Sequence, residues 1–124
     1  MKNRLGLFGI VFLCLLGFAG FAESATVNLA VNPNTESDWA KDRLYQASGS
    51  CATPGNFVMV KEVPRATSIT FSVTISADGT YCFESTAVDN SSNESIFSNR
   101  VEVTIDTVPP AAPTSLTITS VTKP

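Results

Sequence analysis

The sequence predicts an all-β domain built as an antiparallel β-sandwich. Three observations carry this. Six short segments that alternate apolar and polar residues follow one another between residues 25 and 105. Clusters of Pro, Gly, Asn, Asp and Ser separate them. No stretch among them repeats apolar residues at helical spacing with caps, so layered sheets are the expected architecture.

Ahead of the first segment lies material of a different kind. Lys2 and Arg4 precede an uncharged, mostly apolar run over residues 5–22, which ends in Gly20-Phe21-Ala22. Small residues at the −3 and −1 positions of a cut before Glu23 make 1–22 a secretory signal peptide. The alternative is a retained membrane anchor, for which the run is of borderline length and ends in small residues. Cys14 does not read as a lipid-attachment site, because it sits inside the apolar run after Leu13.

The elements then follow in order. Residues 25–32 place Val27, Leu29 and Val31 on one face of a strand. Residues 32–38 form a loop around Pro33. Residues 41–47 make a weaker strand centred on Leu44 and Tyr45, and 48–56 a loop that carries Cys51. Residues 57–63 make the third strand. Residues 68–75 alternate cleanly, with Ile69, Phe71, Val73 and Ile75 inward. In 79–89, Tyr81, Phe83, Ser85 and Ala87 face inward, and Cys82, Glu84, Thr86 and Val88 face outward. Residues 97–105 close the set with Val101, Val103 and Ile105. The domain therefore spans 23–106. Residues 107–124 form a proline-rich linker and one more apparent strand, 115–121, with Leu116 and Ile118.

Composition narrows the chemistry. Residues 23–124 hold six Lys and Arg against eleven acids, without a basic cluster. That argues against nucleic-acid and anionic-membrane partners. Histidine is absent, which removes the commonest general base and metal ligand. No nucleophile motif is present among the abundant hydroxyls, so the chain reads as non-enzymatic and without a cofactor or metal. Asp38, Asp42, Asp78, Asp89 and Glu94 are weighed as calcium ligands against ordinary loop acids, and no calcium-loop spacing supports the first reading. Asn90-Ser91-Ser92 and Asn93-Glu94-Ser95 match the glycosylation pattern but read as loop. Once the leader is removed two cysteines remain, Cys51 and Cys82. In an exported chain these are expected to pair as a structural staple rather than as a redox couple, since no CxxC is present.

Together these segments resemble a fibronectin type III domain of the kind found in exported bacterial proteins. Tyr81 follows Ile75 by six residues, across SADGT, at the spacing of that family's tyrosine corner. Residues 87–95, AVDNSSNES, look like its F–G turn. Residues 108–119, VPPAAPTSLTIT, look like a junction and the first strand of a following domain.

The resemblance implies an immunoglobulin-like sandwich with strands B (25–32), C (41–47), C′ (57–63), E (68–75), F (79–89) and G (97–105), and no strand A ahead of B. It implies a core with Ile75, Tyr81 and Phe83 at its corner. It also makes C and F neighbours, so that Cys51 in the C–C′ loop can reach Cys82. Three departures thin the expected core: Val31 stands for a tryptophan, Asp42 for an inward tyrosine and Ser85 for an apolar residue. Trp39 is the candidate to swing in, and Asp42 has the alternative of turning outward in a frayed strand. Ser85 reads as a soft spot, which valine would improve where the site is apolar and the hydroxyl lacks a partner.

The functional expectation is a spacer, adhesion or protein-binding module that is secreted, periplasmic or at the cell surface. Its partners would be other protein domains or copies of itself. One alternative is a self-assembling subunit that donates 115–121 to a neighbour, set against a disordered tail or a longer multidomain chain. The other is a carbohydrate-binding accessory domain, for which only Trp39 and Tyr45 offer aromatic surface.

Overall fold

A computed structural model describes residues 23–124. The signal-peptide reading of 1–22 lies outside the described residues. The chain forms six strands: β1 Ala25–Val31, β2 Trp39–Ser48, β3 Val58–Pro64, β4 Ile69–Ile75, β5 Gly79–Asp89 and β6 Val101–Ile105. They make two antiparallel sheets, β1-β4 and β3-β2-β5-β6, packed as an immunoglobulin-like all-β sandwich. Among the described residues there is no helix, so none is long and apolar enough to cross a membrane.

The alternating residues form the core as their period requires. Ile69, Phe71 and Ile75 from β4 meet Leu44 from β2 and Phe83 from β5 across the sandwich, with Trp39 completing the cluster. The inward side chains of β1, Val27, Leu29 and Val31, pack against this core but remain half-buried. Tyr81 packs at its edge, and its hydroxyl donates to the Ala77 carbonyl at 2.8 Å, tying the β4–β5 corner shut.

The structure departs from the sequence reading at several points. β2 begins at Trp39, two residues earlier than expected, because a bulge lies between Trp39 and Lys41. The bulge resets the alternation, so Trp39 and Asp42 share the inward face. Asp42 is therefore 6 % exposed and does not turn outward. The Trp39 indole Nε1 donates to its Oδ2 at 3.0 Å and to the Lys41 carbonyl at 3.1 Å. Arg65 closes over the indole, 5.4 Å from the ring centroid, and donates to the Ser37 and Trp39 carbonyls.

The last strand is shorter than expected. It starts at Val101, and residues 96–100 leave the ladder. Residues 115–121 form no strand: everything after Ile105 lacks regular structure, and Leu116 and Ile118 are exposed.

β5 is covered on both faces. Cys82, Glu84, Thr86 and Val88, on the side away from Phe83, are all buried. Cys82 is bonded to Cys51, with Cα atoms 5.0 Å apart. The loop that presents Cys51 turns at Gly49, where φ is +101° and a β-carbon would sit 3.0 Å from the Thr53 carbonyl oxygen. Only glycine takes that conformation without strain. The Cys51 amide then donates to Glu102 Oε2 at 2.7 Å, which fastens the loop to β6.

Candidate binding groove

The flank between β1 and the stretch 95–101 is open. Leu29 and Val31 form one wall, Leu44 and Phe83 the floor, and Phe97 and Val101 the far wall of a groove of about 510 Å³. Its polar lining includes the buried Asp42 and Ser85. The near wall is apolar because the inward side chains of β1, Leu29 and Val31, pack against the core but remain half-buried. The far wall exists because 95–100 departs from regular pairing while staying attached to β5.

Two serines make that attachment. Ser95 Oγ accepts the Ala87 amide at 3.0 Å, and Ser98 Oγ accepts the Ser85 amide at 2.9 Å. The Ser95 and Ser98 amides return bonds to the Ala87 and Ser85 carbonyls at 2.9 and 2.8 Å. Side-chain oxygens thus stand where a neighbouring strand's carbonyls would stand, so the β5 backbone is satisfied although the strand beside it is broken. The intervening residues are pushed outward. Ile96 is 92 % exposed, and Phe97 sets its ring edge-on to Tyr45, centroids 5.3 Å apart.

This arrangement was not legible beforehand. Residues 97–105 read as one strand, and nothing in a period-two pattern marks serines as ladder substitutes. The one available signal was Ser95 and Ser98 on either side of the adjacent apolar pair Ile96-Phe97, which alternation cannot place on a single face.

Ser85 is inward, as read, but its hydroxyl donates to Ser98 Oγ at 3.1 Å. The hydroxyl has a partner, so the condition under which valine would improve the site is not met.

The electrostatics on the outer face of the same sheet centre on Glu94. Its carboxylate accepts the Tyr45 and Thr86 hydroxyls and pairs with Arg43 at 2.9 Å. The Thr86 hydrogen bond first, then that from Tyr45, hold Glu94 below the usual carboxylate range, and the Tyr45 phenol is raised in return. Arg43 also binds Glu62 at 2.8 Å, and Lys41 joins Glu62 at 3.1 Å. Both bonds lower Glu62, that from Arg43 more than that from Lys41. Arg100 bonds the buried Glu84 at 2.9 Å and lies over Phe57, 4.9 Å from the ring centroid.

The five acids weighed as calcium ligands are not brought together. The Asp42 carboxylate holds Trp39 and the Asp78 carboxylate holds Thr107. The Asp89 carboxylate accepts the Asn93 side-chain amide first, then the Asn93 and Ser91 backbone amides, within its own loop, and these bonds lower it. Glu94 serves the outer-face network, and Asp38 accepts the Asn90 amide through its backbone carbonyl. Among the described residues, no group of three or more His, Cys, Asp or Glu converges. Of the two aromatics weighed for carbohydrate, Trp39 is 4 % exposed and enclosed in the core. Tyr45 has its hydroxyl engaged by Glu94.

No protein-family model matches the chain, and no curated protein is similar to it.

Proposed function

We infer that this chain is an exported, non-catalytic fibronectin type III-like module that works by binding other protein surfaces, as a spacer or adhesion domain. One observation carries the reading: the groove and the apolar residues beside it form a single concave, partly apolar flank. Ile96, Phe97 and Val101 are exposed next to a floor made of core residues. Contiguous apolar surface of this kind on a domain of this size marks an interaction site. The staple between Cys51 and Cys82 supports an oxidising compartment, and the Tyr81 corner supports the family resemblance.

Two measurements test it. Expressed behind its own leader, the protein should be recovered outside the cytoplasm with no free thiols. A photoreactive residue at Phe97 should give discrete protein adducts in the native host, while one at the outward Ser72 of β4 should give none. A cytoplasmic, reduced protein, or identical adducts from both positions, overturns the reading.

A further inference from the structure

Strand edges exposed to solvent are normally blunted by charge, proline or short length. β3, at one end of the four-stranded sheet, carries Lys61, Glu62 and Pro64. β6, at the other end, carries Glu102 and has five residues. β1 has seven residues with neither charge nor proline. Among the described residues it pairs with β4 alone, so its second edge is open. β4 is also uncharged, but Ile69, Phe71 and Ile75 are fully enclosed and β3 packs beside it. The core is incomplete at β1, where Val27, Leu29 and Val31 stay half-buried and the groove opens.

The tail carries matching chemistry. Residues 115–121, SLTITSV, are rich in strand-forming residues and contain no charge and no proline. Leu116 and Ile118 alternate in the sequence and are both exposed.

The exit direction of the tail is set. The Thr107 amide and hydroxyl donate to Asp78 Oδ1 at 3.0 and 2.8 Å. The chain therefore leaves at the pole where Ile105 lies beside Gly79, and this is also the pole of the Ala25–Ile75 pair. β1 starts at that pole and runs away from it. A tail folded back onto its own β1 would run parallel to it. A tail that continues outward meets a second copy stacked beyond, enters at that copy's Val31 end and runs antiparallel to its β1. Every strand pair among the described residues is antiparallel, and antiparallel pairing is the more stable per residue. The linker 106–114 reaches at most about 30 Å, and Pro109, Pro110 and Pro113 favour an extended path over a reversal.

We propose that residues 115–121 of one molecule add as an antiparallel strand to the open β1 edge of a second copy, with Leu116 and Ile118 set into the groove beside Leu29 and Val31. Backbone bonds along the edge give the affinity, and the groove gives the side-chain selection. Donor and acceptor are different surfaces, so the contact is head-to-tail and propagates into chains. The proposal rests on the binding-module reading and names its partner.

The test uses the exported full-length protein and the variant Leu116→Asp/Ile118→Asp, which alters exposed positions only. Light scattering over a concentration series should show the mass of the wild type rising while the variant stays monomeric. A synthetic peptide of residues 107–124, added to the variant, should protect amides of Ala25–Val31 from hydrogen exchange. The same peptide carrying both aspartates should not. A wild type that is monomeric throughout, a variant that associates as well as the wild type, or peptide protection confined to β4 or absent would each overturn the proposal. None of these outcomes touches the module reading, which stands or falls on export, thiol state and crosslinking from Phe97.

Discussion

Trp39 and Asp42 lie three residues apart on one strand and yet face the same way, joined by a 3.0 Å hydrogen bond from the indole to the carboxylate. Regular alternation would put them on opposite faces. The bulge between Trp39 and Lys41 removes one step and turns both inward. The pair answers two expected deficits of the core at once. The indole supplies the missing volume, and the carboxylate, in the place of an expected aromatic, supplies its hydrogen-bond acceptor.

That arrangement predicts how Asp42 responds to pH. Burial raises its carboxyl above the usual range, and the Trp39 bond only partly opposes this. A carboxyl raised in the folded state makes the fold less stable as pH climbs through the window between its ordinary and its raised value. Asp42→Asn keeps an acceptor for Trp39 and removes the charge. It should melt higher than wild type at pH 7, with the gap closing towards pH 3. Asp42→Ala should instead cost about 1 kcal/mol, because the Lys41 carbonyl still accepts the indole. Thermal melts of the three proteins at both pH values check this.

Glu94 should titrate in the opposite sense. Its carboxyl is depressed in the fold by Thr86 and Tyr45. Its contribution is therefore complete above the ordinary glutamate range and disappears as pH falls through the depressed value. Glu94→Gln should lose about 1 kcal/mol at neutral pH, and the difference from wild type should shrink in acid. Urea denaturation at pH 7 and pH 3 measures both.

Removing the staple between Cys51 and Cys82, which are 31 residues apart, should destabilise the domain. The expected loss is about 3–4 kcal/mol on the chain-entropy view. Reduction should also free the loop held to Glu102, so the Cys51 amide should exchange faster. Denaturation of Cys51→Ser/Cys82→Ser against the oxidised protein gives the energy, and hydrogen exchange gives the locality.

Ser85→Val should lower the melting temperature. The hydroxyl that valine removes bonds Ser98, which itself holds the Ser85 amide. A larger apolar side chain would press on the segment that closes β5. The cost should be about 1 kcal/mol, and a rise in melting temperature would contradict this account.

Tyr81→Phe should cost about 1 kcal/mol, the net worth of one hydrogen bond, by freeing the Ala77 carbonyl at the β4–β5 corner. Equilibrium denaturation checks it, and the core around Ile75 and Phe83 should be unchanged.

What the sequence determined by itself is what depends on neighbours along the chain. Period-two alternation in 25–32, 68–75 and 79–89 was enough to place β1, β4 and β5 to within a residue and to choose their inward faces, Ile75, Phe71 and Phe83 among them. Turn residues set the breaks between strands. The cysteine count, taken with the reading of 1–22 as a leader, was enough to expect a staple. Tertiary structure alone decided what depends on the strand lying alongside. The bulge that turns Trp39 inward exists only against Asp89 and Val88 of β5. The serines at 95 and 98 act as carbonyls only because β5 presents unpaired amides there. The outer face of β5 is buried because Cys51 arrives from 31 residues upstream and Glu94 and Arg100 fold back from 8 and 16 residues downstream of the residues they meet. Alternation is a rule over two residues, whereas a bulge, a substituted ladder and a groove are relations between segments beyond that window, from the 8 residues between Ala87 and Ser95 upward, and local pattern carries no record of them.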